Sequence, residues 1–365
     1  MFQVKHALMA GCAGLAMLFA NAPVMAGDGC SSCGTGGACC DAGGICDSGS
    51  CCDTGGCGSG CCDSGCGGGC GGGLCGDLLA NSYLFLAADG WKGPIDDDDN
   101  NNFGLRFGMN SGFTLMEDSR LGAQAGFSYA GYDFHGRSNS APTTSQIEEQ
   151  FFFTAGVFQR SDVCNACAHH QRISWGLVWD AMVSDNIGED GDDINLYQLR
   201  GQMGYAIDPS NEVGLMIMYN VGGSQVVDQG SFNSNNILTR ARALDQGNIF
   251  WRHVWERGGE TTLLLGWAEA PGDVVFGARG EVPLNCHLSL FGNMHYILPS
   301  TTGGQPSNNG SNDRFAEEYW NVTFGFVYYP GNNSGTRTVS GRSMLPLLPV
   351  ADNGLFGVKV NPNVQ

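Results

Sequence analysis

From Ser82 onward the chain alternates apolar and polar or small residues with a period of two. Phe103, Leu105, Phe107 and Met109 alternate with Gly104, Arg106, Gly108 and Asn110. Leu121, Ala123, Ala125, Phe127 and Tyr129 repeat the pattern, as do Ile173, Trp175, Leu177, Trp179 and Ala181. Val213, Leu215, Ile217, Tyr219 and Val221 form a further face, and Trp320, Val322, Phe324, Phe326 and Tyr328 form another. Side chains of an extended chain point to opposite sides in turn, so each run predicts a strand with one apolar and one polar face. About twelve runs are present, near 82–88, 103–116, 119–132, 148–160, 172–184, 194–207, 212–221, 246–256, 261–269, 273–282, 286–297 and 318–329. Breakers such as Asp208-Pro209-Ser210-Asn211, Pro271-Gly272-Asp273 and Val282-Pro283-Leu284-Asn285 separate them. No amphipathic helix of normal length interrupts the series.

Two architectures satisfy this alternation. In a soluble sandwich or barrel the apolar faces meet inside. In an outer-membrane barrel they point out to lipid and the polar faces line the lumen. Four observations favour the second. The runs are about ten residues long, the length that spans a bilayer at a tilt. Connections alternate between short (117–118, 208–211, 270–272, 283–285) and long (133–147, 185–193, 222–245, 298–317). Aromatic residues gather at strand ends, as in Trp175/Trp179, Trp251/Trp255 and Tyr328/Tyr329, which suits interfacial girdles. The number of runs is even. The expected fold is therefore all-β: an antiparallel up-and-down β-barrel of about twelve strands, of the transmembrane type, over residues 80–330. A soluble β-sandwich or barrel is the alternative. The inward faces are expected to carry many glycines and few charges. Alternation alone does not fix which face points outward.

Residues 331–365 form a C-terminal tail that runs on beyond the closing strand of Phe324, Phe326 and Tyr328. It lies outside the barrel, folds in as a plug, or supplies another strand from Leu355 to Val360. Its segment Met344-Leu345-Pro346-Leu347-Leu348-Pro349-Val350-Ala351-Asp352-Asn353, with the body over roughly 80–360, resembles an uncharacterised family of exported planctomycete proteins. That family is predicted to form outer-membrane-like β-barrels. The resemblance implies such a barrel and carries no activity or catalytic residue with it.

The first 26 residues change the picture by adding export. Lys5 and His6 precede an apolar core from Ala7 to Ala20, and Val24-Met25-Ala26 offers small residues for cleavage, so 1–26 reads as a signal peptide. Residues 27–76 then hold thirteen of the 17 cysteines: Cys30, Cys33, Cys39, Cys40, Cys46, Cys51, Cys52, Cys57, Cys61, Cys62, Cys66, Cys70 and Cys75. The rest of that segment is almost all Gly, Ser and Asp, with little to bury, so it is a spacer, is held by disulfides, or binds a soft metal through its thiolates. An odd count leaves one thiol for a partner, either a second copy or a cysteine-rich envelope protein.

A net charge of −19 without Lys/Arg clusters excludes nucleic acid as a partner. The acidic runs Asp96–Asp99 and Glu189–Asp193 read as solvated loops; Ca²⁺ is the ion they would suit, but they lack EF-hand spacing. Cys164, Cys167, His169 and His170 form the one compact set of soft ligands, fitting either a Cys164–Cys167 disulfide or zinc. Cys286 is expected on a strand as a buried thiol outside any bridge. His253, His287 and His295 fall on expected strands, and Ser289 shares a face with His287 and His295, about 7 Å from His287 along the strand. No acidic orienter accompanies them, so no catalytic set emerges and the chain is not expected to be an enzyme. Asn321-Val322-Thr323 and Asn332-Asn333-Ser334 match glycosylation acceptors by chance. The sequence thus points to an exported structural barrel of the outer membrane or cell envelope, bedded in outer-membrane lipid and tied down through its cysteine-rich segment. A passive pore favouring cations, with no cofactor, and a secreted soluble binding or matrix module are the alternatives.

Overall fold

A computed structural model describes residues 79–93, 102–115, 120–132, 147–161, 172–187, 192–232, 235–255, 258–269, 273–298, 319–331 and 344–364. The signal segment, the cysteine-rich segment and the Cys164–His170 set lie outside the described residues. Fifteen strands and one short helix make up the described chain. They are β1 (Ser82–Lys92), β2 (Asn102–Thr114), β3 (Leu121–Tyr132), β4 (Glu148–Gln159) and β5 (Ile173–Ile187). These are followed by β6 (Asp192–Ala206), β7 (Asn211–Asn220), β8 (Gln225–Phe232), β9 (Asn235–Ala243) and β10 (Gln246–Val254). The last are β11 (Glu260–Ala268), β12 (Asp273–Pro283), β13 (Leu288–Leu298), β14 (Tyr319–Tyr328), helix α1 (Asn353–Phe356) and β15 (Val358–Val364).

Twelve strands close into one antiparallel barrel in the order β1-β14-β13-β12-β11-β10-β7-β6-β5-β4-β3-β2. All twelve coincide with the alternating runs of the sequence. Closure joins β1 to β14, with Leu84 opposite Tyr328 and Lys92 opposite Trp320, so no barrel edge is left unpaired. The strand between β7 and β10 in the chain is replaced by a hairpin, β8–β9, that leaves the barrel wall. It pairs with β15 as a separate three-stranded sheet, ordered β15-β9-β8. The connection 222–245 is therefore a structured hairpin, and the extra C-terminal strand joins it without changing the barrel count.

The short connections 207–210 and 284–287, the start of β1 and the end of β14 lie at one end of the barrel. The β3–β4 and β13–β14 connections and the β8–β9 hairpin lie at the other. One expected position and one expected length need correction. The short 270–272 link sits at the long-loop end, and the link expected at 185–193 shrinks to 188–191 because β5 and β6 run on through a register shift between Ser184 and Ile187.

Side-chain direction settles what alternation left open. Leu84, Leu86, Phe103, Leu105, Phe107, Phe127, Phe153, Leu177, Met203, Ile217, Ile249, Leu265, Phe324 and Phe326 all face outward and are exposed. The alternate positions, including Arg106, Asn110, Gln124, Thr154, Asp180, Gln198, Arg200, Glu281 and Thr323, face in and are buried. This is the inverse of a soluble barrel. The expectation of few inward charges does not hold: Asp89, Arg106, Glu148, Asp180, Arg200, Glu212, Arg252, Glu260, Arg279 and Glu281 all occupy inward positions. Such charges survive inside because they find partners there. Arg200 and Asp180 are both fully buried, with Nε–Oδ2 at 2.9 Å and Nη2–Oδ1 at 3.0 Å, and Asp180 also takes bonds from Thr154 and Gln198. Asp89 accepts from Tyr132 and Thr323 at 2.5 Å each and from Asn321 at 3.1 Å. Asn321, the residue of the glycosylation match, is thus a lumenal side chain.

A candidate functional site in the threaded lumen

The tail enters the barrel at the short-turn end. Met344 N–H donates to the Asn81 side chain at 3.2 Å, and Gly112 on β2 lies so close that an added Cβ would sit 1.8 Å from the Met344 carbonyl oxygen. Glycine is therefore required there for the chain to pass. Pro346 and Pro349 lack N–H groups and push Leu345 and Leu348 into extended backbone, so this stretch makes no ladder of its own and its carbonyls project sideways. The barrel supplies the donors. Arg160 donates to the carbonyls of Leu345 and Pro346, and Asn110 and Gln124 donate to Leu348 at 3.0 and 2.8 Å. The Gln124 carbonyl accepts from the N–H groups of Leu347 and Leu348, so one side-chain amide grips the tail both ways. Arg200 then donates to Pro349, and Arg106 to Ala351.

Further along, Asp352 is held by Arg106 at 3.4 Å and by Asn293 at 3.0 Å. Its carboxylate also caps α1 by accepting from Leu355 N–H at 2.9 Å. Asn353 donates to Tyr132 and Gln150 and accepts from the Tyr319 hydroxyl. Phe356 packs on Phe152 with ring centroids 6.0 Å apart. Gly357, at φ 48°, ends the helix in the left-handed region and turns the chain out to β15, which pairs with β9 at the long-loop end. The tail is thus both the plug and the extra strand that the sequence allowed, and it crosses the whole lumen.

It does not fill it evenly. The bonds from lumenal strand side chains to residues 344–356 come from β2, β3, β4, β6, β13 and β14. On the opposite wall, formed by β7, β10, β11 and β12, a cavity remains between barrel and tail. Gln202, Met216, Arg252, Glu260, Thr262, Leu264 and Arg279 line it from that side, Tyr83, Phe85, Arg106, Arg160, Phe291, Asn293, His295 and Val327 from the rest of the barrel, and Pro346, Leu347, Pro349, Val350, Asp352 and Leu355 from the tail. Arg252 is paired with Glu212 at 2.9 Å, and Glu212 also accepts from Ser174.

The residues singled out from the sequence are dispersed. His295 is lumenal and buried on β13. His253 faces outward between Trp251 and Trp255, its Nδ1 2.9 Å from Asn211 Oδ1. His287 lies in the β12–β13 turn rather than on a strand, stacked on Tyr328 with Nδ1 3.2 Å from the Tyr329 carbonyl. Ser289 is buried in the wall. Cys286 also belongs to that turn and is half-buried, because β13 starts only at Leu288. Tyr329, expected in an interfacial girdle, turns inward and donates to Glu281. Cys164, Cys167, His169 and His170 and the thirteen N-terminal cysteines lie outside the described residues, as do Asp96–Asp99. Among the described residues no group of three or more His, Cys, Asp or Glu is placed to hold a metal ion. The functional residues that sequence reasoning passed over are Arg106, Arg160, Arg200 and Gln124. Their signal was a charged or amide side chain at the polar parity of an alternating run, facing a proline-rich tail.

Comparison with known proteins adds a family and a set of barrels. A family of unknown function (DUF6666) matches residues 81–358, a span that takes in both the wall and the threading tail. No protein of curated function matches the sequence. Among solved structures, outer membrane phospholipase A from Escherichia coli is similar with a TM-score of 0.40 at 10% identity, covering 67% of this chain and 95% of that one. The β domain of the Bordetella autotransporter BrkA gives 0.34 at 14% identity, covering 68% and 98%. An anion-selective porin from Comamonas acidovorans gives 0.30 at 9% identity, covering 68% and 97%. These proteins differ in what they do, and likenesses this weak assign none of those activities to this chain.

Proposed function

The chain belongs to this family of unknown function, and from that premise we propose that it is an exported, lipid-embedded barrel of the outer membrane with a structural rather than catalytic role. One observation carries the reading: outward positions of the barrel strands form an apolar belt, while the lumen holds the charges. Lys92, Glu149, Asp185 and Asp193 are outward charges, and all sit near the long-loop ends of their strands. On β6 the outward row runs Tyr197, Leu199, Gly201, Met203, Tyr205, aromatic at both ends and apolar between. Its eight steps span about 26 Å along the strand, close to the height of a lipid-facing band once tilted. Lipid is the solvent for which such a surface is stable.

The threaded tail supports a closed wall over an open pore, since it runs through the lumen from end to end and narrows it. Residues 79–81 enter β1 at the short-turn end, which in such barrels faces the periplasm. A segment that precedes β1 would begin on the cell-wall side, where a disulfide tie from its cysteines to an envelope partner or a second copy would act as an anchor.

The test is carbonate washing of isolated envelopes with and without reductant. Retention in both arms is the expected result for an integral barrel, and cross-linked species that collapse on reduction would support the tie. Release in both arms would overturn the membrane reading. Release by reductant alone would leave a soluble module tied to the wall.

A further inference from the structure

We infer that the cavity left beside the tail is a binding site for one small soluble oxyanion, of the phosphate or carboxylate class. The inference deepens the barrel reading and rests on it, because the chamber exists only inside the closed wall.

Its basis is a surplus of donors. Four arginines (Arg106, Arg160, Arg252 and Arg279) and two carboxylates (Glu260 and Asp352) line the cavity, with Glu212 paired to Arg252 behind it. Arg106 is committed to Asp352 and to the tail, and Arg160 to tail carbonyls. Arg279 makes no ion pair or hydrogen bond among the described residues, and its Nε is buried. The other lining nitrogens in the same condition are Gln202 Nε2, Arg252 Nε and His295 Nε2; no lining side-chain oxygen is. Gln202 and His295 are only 5% and 2% exposed, so neither reaches bulk water. Buried donors without acceptors are costly, and an oxyanion supplies acceptors to several of them at once.

Register places the charged pair well for that task. Arg252 lies opposite Thr262 across β10–β11, and Thr262 opposite Arg279 across β11–β12. The two arginines are thus two strands apart at one level of the wall, about 10 Å at the backbone, with a threonine hydroxyl between them. Both side chains line the one chamber, and their length lets them reach a ligand placed between them. Of the acids around it, Glu212 holds Arg252 from the β7 side, Glu281 takes the Tyr329 hydroxyl with one oxygen, and Glu260 lines the chamber two residues from Thr262. The chamber therefore selects anions although the whole chain is strongly acidic, and although its acidic loops suggested cations.

Calorimetric titration of the full-length protein with inorganic phosphate tests this. The protein is folded in nonionic detergent, freed of lipid, and held at constant ionic strength in chloride. Saturable binding at one site per chain is expected, weakened at least tenfold in Arg279→Gln. Gln202→Leu, which removes a donor without changing charge, should weaken it as well and serves if the arginine variant does not fold. Absence of saturable binding to wild-type protein overturns the inference, as does binding that both variants leave unchanged. Heat-modifiable migration in gels, read on the same samples, reports the closed barrel. Its presence without phosphate binding sinks the anion site alone, and its absence sinks the barrel reading first.

Discussion

Single side chains in the lumen carry large energies because water is excluded from around them. Arg200 and Asp180 are both fully buried and doubly bonded, and Arg200 also holds the Pro349 carbonyl. Replacing one partner strands the other charge, so Arg200→Met should destabilise the barrel by about 3–5 kcal/mol, and Asp180→Leu in the same chain should recover much of that loss. Urea unfolding midpoints of the single and double variants check this. A polar turn outside the strands behaves differently. Burial acts to raise the Asp208 carboxyl pKa, but hydrogen bonds from Asn211 and the Ser210 and Asn211 N–H groups outweigh it and hold the value below the usual carboxylate range. A depressed folded value means that the turn's contribution is complete above the ordinary carboxylate pKa and fades as pH falls through the lower one. Asp208→Ala should therefore lower the thermal midpoint at neutral pH and have little effect at strongly acid pH, as melting curves across pH would show. The residues of both effects were visible in the sequence as polar positions. Their partners were not, since Asp180 and Arg200 are twenty residues apart and meet only through the β5–β6 register.

Among the elements, the tail is the one whose role depends wholly on the others. Alone it has three prolines, no ladder and a helix of four residues, so nothing local holds it. Its stability comes from barrel side chains that accept and donate to its backbone. Deleting residues 344–365 should leave the twelve-strand wall closed and open the lumen: in planar bilayers the truncated protein should show unitary conductance well above that of the full chain. Equal conductance in the two would mean that the tail does not obstruct. The twelve wall strands were legible because each has a two-residue period with a buried and an exposed side. The β8–β9 hairpin was missed because its partner, β15, lies more than a hundred residues away. A three-stranded sheet outside a barrel has no continuous apolar face to print on its sequence.

For the whole molecule, the decisive quantity is the sign of the solvent. An outward apolar belt is stable in lipid and unfavourable in water. Leu86, in the middle of β1 and 56% exposed, reports that directly. Leu86→Arg should lower stability in bilayers by about 2–4 kcal/mol, as measured by reversible unfolding from liposomes. A soluble barrel would tolerate the same change or gain solubility from it. The sequence by itself determined the alternation, the number and place of the wall strands and the breakers between them, because a pleated strand writes its period into every second residue. It also marked the proline-rich tail as distinct from the wall. Only the tertiary structure decided which face meets lipid, that ten inward charges are tolerable, and that the tail runs through the lumen against one wall. Those outcomes depend on closure: one alternation serves a barrel and its inverse equally well until β1 meets β14 and fixes what is inside.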